Sequence, residues 1–577
     1  MQTLEKIWSI SSVNLRLSYF YFAIISIFNS IIEIAAISSI LPLLDLFINQ
    51  NGVFITKLND ILGTFISIEE NNVTQILYFM IGIFVLKFFI NYTTIHFYQK
   101  IIFDLRVYLA KKKLNEYLNQ DYQFFIKNNS SILLRNISQE VPRIIMGVIA
   151  MILSLFSELV MILSIVTLLI FIDLKSAIFI FGLLIVIGSI YMNLSKKYIN
   201  RLGELRIDFE GNNMKNLREI FDNIKLLKLY SRESFFFQKF NFNNKISSKS
   251  HMKFNIAAQT PRLFYEFILI SILLLFCIFF SENLQNLIYI LAIYAAGTIR
   301  LIPSLSKLLS ALQNIRFEIP ALDEITKNRY EIKKNLDIPK NNIDEEVIFR
   351  DSIEFKNINF THFESEKIIF NQLNLKIYKN SFVGIFGSSG IGKSTFFDLF
   401  SGILPPTNGE IIIDKKYILN KQNTKSWQNL IGYMPQDALI LEGSLIENIA
   451  FGEDSKNVNL KNFETSINGA NLNHFVSNLK DAENLQLGER GLKISGGERQ
   501  RISLARTLYM MPKILLLDEV TSALDQKNEN EILKTIYNLK NTTKILISHN
   551  KEALKYCDII YELRDKNLLE KKIINNK

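Results

Sequence analysis

Long apolar runs crowd the chain before about residue 312; beyond it, apolar and polar positions alternate in short segments, as in a water-soluble domain. A helix that crosses hydrocarbon needs ~20 mainly apolar residues. Six stretches meet that need, at about 19–41, 74–98, 144–171, 176–195, 264–281 and 285–309. They predict a six-helix α transmembrane domain over residues 1–311. Ile172-Asp173-Leu174-Lys175 reads as a tight hairpin between spans three and four, and Glu282-Asn283-Leu284 separates five from six. Long polar stretches of helical character separate spans two and three, and four and five. The first run begins near Leu17, is too long for a signal-peptide core and is followed by no small-residue cleavage site, so it reads as a true span. Between spans one and two, Phe54, Leu58, Ile61, Leu62 and Phe65 share one helix face, which suits either the bundle or the outer leaflet.

Composition sharpens this picture. The 577 residues are 49% hydrophobic and 21% charged, which excludes a collagen or a disordered chain. Cys277 and Cys557 lie far apart in different regions, which argues against a structural disulfide. The net charge of +10 is unevenly placed. Eight Lys or Arg fall between Lys100 and Arg143 and thirteen between Lys196 and Lys253, whereas the opposite loops offer Lys57 and Lys175. The positive-inside rule then puts both termini and the long loops in the cytoplasm, and it accounts for the basic balance without nucleic acid.

After a charged linker at about 312–348, residues 349–577 read as an α/β domain. Phe382–Phe386 is a buried strand that runs into Gly387-Ser388-Ser389-Gly390-Ile391-Gly392-Lys393-Ser394-Thr395. This strand–loop–helix context makes GxxxxGK[ST] a phosphate-binding P-loop. Its glycines let the backbone wrap phosphates, and the helix start adds free N–H groups. Lys393 is expected on the β- and γ-phosphates of ATP, and Ser394 on Mg2+. Ile514–Leu517 is a second buried strand, ending in Asp518 and Glu519. Asp518 suits the Mg2+ shell and Glu519 the general base that activates water. Ser495 with Glu498 three residues on reads as a capping box opening a helix, with Gly496 and Gly497 inside it.

Ser495-Gly496-Gly497-Glu498 resembles the signature motif of ABC ATPases, with Glu498 in place of the usual glutamine. The resemblance assigns further roles. Gln436 matches the Q-loop glutamine, which also reaches Mg2+, and His549 the switch histidine. Asp525, in Ser522–Asp525, matches the D-loop, and Gly488–Gly491 the X-loop of exporters. His362 aligns with the aromatic that stacks on adenine, with Phe363 as its alternative. In this family two nucleotide domains meet head to tail, each ATP lying between one P-loop and the other chain's Ser-Gly-Gly. The single cassette here therefore implies a homodimer with a second identical subunit.

Six spans before one cassette are similar to exporter-type half-transporters, in which segments near Asp121–Leu134 and Arg218–Arg232 serve as coupling helices. Ser30–Ser38, Pro261-Arg262-Leu263 and Tyr294–Ser304 further resemble bacterial lipid-linked oligosaccharide flippases. Lys87 and Arg300 lie roughly 20 Å into their spans at 1.5 Å per residue, where charge is costly and faces a cavity or a partner. With Arg262 they suit an anionic head such as a pyrophosphate; Glu33, Glu158 and Glu266 are the competing partners. The expectation is an ATP-driven flippase of a lipid-linked anionic substrate in a bacterial inner membrane, in contact with membrane lipid. Its alternative is an exporter of another amphiphile, such as a lipid A-type glycolipid, a peptide or a drug. A non-transport ATPase is disfavoured by the fused spans.

Overall fold

A computed structural model describes residues 13–39, 73–172, 174–279, 284–335, 346–362, 367–473, 476, 485–488, 494–520, 526–550 and 552–571. The segment at 49–70, Phe363, Glu489–Gly491 and Ser522–Asp525 lie outside them. The chain divides into two compact units, residues 1–120 with 124–337, and residues 121–123 with 338–577.

The first unit is helical. Its long elements are α1 (Val13–Ser38), α2 (Val73–Leu118), α3 (Ala150–Ile172), α4 (Leu174–Asp222), α5 (Glu233–Phe279) and α6 (Leu284–Asn335). Among the described residues, Leu15–Ser38, Leu77–Leu118 and Ser130–Ile170 are long and apolar enough to cross a membrane. The expected spans at 176–195, 264–281 and 285–309 fall along α4, α5 and α6. Helix α1 is inverted relative to a soluble helix. Ser26, Asn29, Ser30 and Glu33 are buried with Phe22 and Ala36, while Phe20, Tyr21, Ile24, Phe28 and Ile31 are exposed. Such a face suits hydrocarbon outside and polar contacts between helices inside.

Helices α2, α4, α5 and α6 run for 46, 49, 47 and 52 residues. At 1.5 Å per residue each is about 70 Å or longer, more than twice the ~30 Å hydrocarbon thickness. The polar stretches between the expected spans are therefore continuations of the same helices. The same holds for the stretch read as a linker from residue 312. Helix α6 continues through it to Asn335, and Phe317, Ala321 and Leu322 are buried there. Two of its acids, Glu318 and Glu324, are paired with Arg206 and Arg135 rather than solvated, which its charge pattern did not show.

That pairing forms a buried network. Arg206 is fully buried, 2.9 Å from Glu318 and 3.9 Å from Glu140. Arg135 pairs with Glu324 and Glu140, and Arg143 with Glu210 and Glu140. His251 lies 3.1 Å from Glu210. Burial would raise the Glu210 carboxyl, but hydrogen bonds from His251 and Arg143, with the charges of Arg143 and Arg206, outweigh it and hold it at about 2. Two π-helical turns, Asn136–Glu140 and Ile145–Ile149, flank Val141–Ile144 on the segment that carries Arg135, Glu140 and Arg143. Pro142 lacks the N–H needed for a regular ladder and so accounts for the first irregularity. Gly211 has no side chain to meet the Arg135 guanidinium, which lets α4 close on it.

The second unit holds two sheets. The first has the order β2 (Ile368–Tyr378), β1 (Ser352–Thr361), β4 (Asn408–Ile413), β5 (Tyr417–Ile418), all antiparallel. The second has the order β10 (Asn567–Lys571), β9 (Ile559–Arg564), β3 (Phe382–Phe386), β8 (Thr543–Ile547), β7 (Ile514–Asp518), β6 (Ile431–Met434). Strands β9, β3, β8, β7 and β6 are parallel. Every residue of β7 and β8 is buried, as the unbroken apolar run in β7 predicts for a parallel strand covered on both faces. Phe355, Phe396, Phe400 and Trp427 stack between the sheets, and the Trp427 indole N–H donates to the Phe400 carbonyl at 2.8 Å.

Candidate functional site

Parallel strands deliver their C-terminal ends to one edge of a sheet, where α/β proteins bind ligands. At that edge β3 gives way to the loop Gly387–Gly392, and α7 (Lys393–Phe400) follows. Gly390 and Gly392 have φ of +76° and +111°, left-handed values that glycine adopts without a Cβ penalty. A Cβ at Gly390 would meet nothing within 4 Å, so the loop faces open space there. Lys393 is buried, and its ammonium donates to the Gly387 carbonyl at 3.0 Å and the Ser388 carbonyl at 3.4 Å. A loop of this shape, with a buried lysine beneath it and a helix start behind it, fits a phosphate chain.

Strand β7 ends between β8 and β6 and carries the two expected carboxylates. Glu519 adopts φ +47°, a left-handed backbone uncommon for a residue with a side chain. Its N–H is fixed by the Ile547 carbonyl at 3.0 Å. Three expected partners converge on its carboxylate: Gln436 donates from Nε2 at 2.8 Å, His549 Nε2 lies at 2.8 Å and Lys393 Nζ at 3.4 Å. Asp518 is buried, with the Ser394 hydroxyl near its carboxylate. Burial pushes its carboxyl up, and the Glu519 charge adds to this; bonds from Ser394 and Tyr433 and the Lys393 charge oppose it. The Ser394 hydroxyl, the Asp518 carboxylate and the Gln436 amide are all oxygen donors at this edge. That set fits Mg2+, which takes few protein oxygens and fills its shell with water and phosphate.

The structure thus brings Lys393, Ser394, Gln436, Asp518, Glu519 and His549 together, with Gly387–Gly392 and Thr395 forming the loop and the first turn. Ser495 caps α8 (Gly496–Tyr509): its N–H donates to Glu498 at 2.6 Å, and the Glu498 N–H donates back to the hydroxyl at 3.3 Å. These hydrogen bonds lie within the cap itself. On the same helix, Gln500 donates to the Gln436 carbonyl at 3.0 Å. The His362 ring sits edge-on to Phe360 at 5.1 Å. Asp525 lies outside the described residues. Tyr433, which the sequence reading passed over, hydrogen-bonds Asp518 at 3.4 Å. Its signal was its place on a strand, three residues before Gln436.

In the helical unit, two of the three cations expected at a substrate head come together. Lys87 Nζ and Arg300 Nε lie 3.0 and 2.9 Å from the same Glu33 oxygen. Arg262 does not join them; its exposed guanidinium pairs with Glu266 at 2.7 Å, one turn along the same helix. Glu158 pairs with Lys307 at 3.2 Å.

Two family models match the chain, one described as ABC transporter transmembrane region over residues 19–285 and one as ABC transporter over residues 370–522. A Rickettsia conorii protein named for export, with ATP-binding and permease regions, is 39% identical over 211 residues, 36% of either chain. That match spans about a third of the relative's length. A similarly named Rickettsia prowazekii protein is 27% identical over 524 residues, covering 85% of this chain and 86% of that one. Among solved structures, a bacterial Atm1-family ABC exporter with ATP bound shares the fold, with a TM-score of 0.76 at 19% identity over 97% of this chain and 95% of that one. A membrane region and an ATP-binding region thus match in order along one polypeptide, and the chain carries both regions of an ABC transporter.

Proposed function

We propose that this chain is an ATP-driven exporter that works as a homodimer in a bacterial inner membrane, with both termini and the nucleotide unit in the cytoplasm. One observation carries the ATPase reading: the Glu519 carboxylate is held by Gln436 and His549 at 2.8 Å each, beside the P-loop lysine. Glu519 takes a proton from the attacking water as the bond between the γ-phosphorus and its bridging oxygen breaks. Gln436 and His549 aim the carboxylate, and the Gly387–Lys393 loop holds the phosphates. Ser394, Asp518 and Gln436 would hold Mg2+, which when bound would neutralise charge on the phosphate oxygens. Ser495–Glu498 and Asp525 of each chain complete the other chain's site. His362 takes the adenine. The short helices Tyr122–Lys127, Ser130–Arg135 and Ile224–Leu229 act as the coupling elements.

The cargo we propose is an amphiphile with an anionic head, of the lipid-linked oligosaccharide class. Lys87 and Arg300 carry two positive charges against the single Glu33 carboxylate, which leaves a net positive group deep among apolar helices. A second reading, export of a peptide, a drug or another glycolipid, is favoured by the pairing itself: Glu33 already answers both cations, and Arg262 is answered by Glu266. Liposomes containing the purified chain separate the two. Labelled lipid-linked sugars, glycolipids, drugs and peptides are scored for movement that requires ATP and is absent in Glu519→Gln. Movement of an uncharged drug or peptide with none for pyrophosphate lipids selects the second reading. No ATP-dependent movement of any probe, with no ATP hydrolysis, sinks both.

A further inference from the structure

Strand β6 does more than precede the glutamine that holds Glu519. It pairs in parallel with β7 in the register Tyr433↔Leu516 and Met434↔Leu517. The two adjacent carboxylates at the end of β7 are therefore both within reach of one short segment. Gln436 meets Glu519 at 2.8 Å, and the Tyr433 phenol meets Asp518 Oδ2 at 3.4 Å. Tyr433 is about half exposed, and its ring meets Phe397 of α7 edge-on, with ring centroids 6.2 Å apart. Asp518 is 5% exposed, so few waters can replace this donor. The Ser394 hydroxyl is also near the carboxylate. A carboxylate offers about four lone-pair sites, so two hydroxyls still leave it room for a cation.

We propose that Tyr433 is a positioning residue for the metal site: its phenol O–H fixes the rotation of the Asp518 carboxylate, as Gln436 fixes that of Glu519. Strand β6 then sets both acids through one backbone register, and a slip of β6 against β7 would misplace metal ligand and general base together. The inference rests on the assignment of Asp518 to Mg2+.

The test uses the full-length chain in detergent, saturated with a non-hydrolysable ATP analogue. Mn2+ is titrated as the spectroscopic stand-in for Mg2+ and free ion is read by electron paramagnetic resonance. Tyr433→Phe keeps the ring and its contact with Phe397 and removes one oxygen. It is expected to raise the half-saturating Mn2+ by about three- to tenfold, the net worth of one ordinary hydrogen bond. Nucleotide affinity in chelator and the melting temperature are expected to stay at wild-type values. Asp518→Asn is the control. A Tyr433→Phe curve that overlays wild type while Asp518→Asn shifts overturns the role of Tyr433 and leaves the metal assignment standing. If Asp518→Asn also overlays wild type, the metal assignment itself fails. Equal loss of nucleotide affinity in chelator would make Tyr433 a packing residue for the pocket and overturn the proposal.

Discussion

Both units gather acids and bases where water is scarce, but they do it in opposite ways. In the helical unit the central charges are closed on one another: Arg206 is fully buried with Glu318 and Glu140, and Arg143 pairs with Glu210 and Glu140. In the nucleotide unit they stand at strand ends beside an open glycine loop, and the His549 side chain is 45% exposed. Closed networks tie helices together, and each member is costly to remove, because its partner is left charged and buried. Open clusters are arranged for a ligand that brings its own charge, and removing a member costs chemistry rather than fold.

The largest effect is expected where the cluster is open. Glu519→Gln is expected to lower ATP hydrolysis by about two to four orders of magnitude, the usual share of a general base, with nucleotide binding and melting temperature retained. Hydrolysis within a few-fold of wild type would remove Glu519 from that role. In the closed network, Arg206→Ala is expected to cost about 3–5 kcal/mol in the stability of the helical unit. Denaturant titration followed by helical circular dichroism reads this, and nucleotide binding by the other unit serves as the control. Loss of nucleotide binding with unchanged helix stability would reverse the comparison.

Acid separates the two regions as well. Glu210 is held at about 2, below its ordinary value, so its bond to Arg143 and His251 adds stability that is complete above about pH 4.5. That contribution drains away as pH falls through the folded value near 2, where the folded carboxylate takes up its proton. Glu210→Gln is expected to flatten that part of the pH–stability curve, as measured by thermal unfolding between pH 5 and about pH 2. A variant whose curve retains the wild-type slope would assign the acid sensitivity elsewhere. The smallest effect concerns Glu33. Its replacement by Gln frees Lys87 and Arg300 and is expected to tighten binding of a pyrophosphate lipid by about tenfold, with little change for an uncharged amphiphile. Weaker binding of the anionic lipid would mark Glu33 as a scaffold for the cations rather than their competitor.

The geometry of the candidate nucleotide site was legible because its residue spacing is local. Gly387–Thr395 is a continuous loop and helix start, Asp518 and Glu519 are neighbours at a strand end, and Ser495 with Glu498 closes its own cap within one turn. Short-range geometry of this kind is written in residue spacing. Tyr433 was missed because its meaning depends on strand register: in the sequence it is one aromatic in a strand, and only the pairing of β6 with β7 sets it beside Asp518. The stretch from residue 312 was misread for a related reason. Its charge pattern matches a solvated segment, and nothing local says that Glu318 and Glu324 are met by Arg206 and Arg135, which lie more than a hundred residues earlier.

By itself, then, the sequence determined the long apolar runs, the phosphate loop, the strand-end acids and the helix cap, because each depends on residues within a turn or a strand of one another. Tertiary structure alone decided which charges are spent on one another and which are left for a ligand. Coulomb energy in a low-dielectric interior depends on distance through space, and chain spacing does not encode that distance until the helices and strands have met.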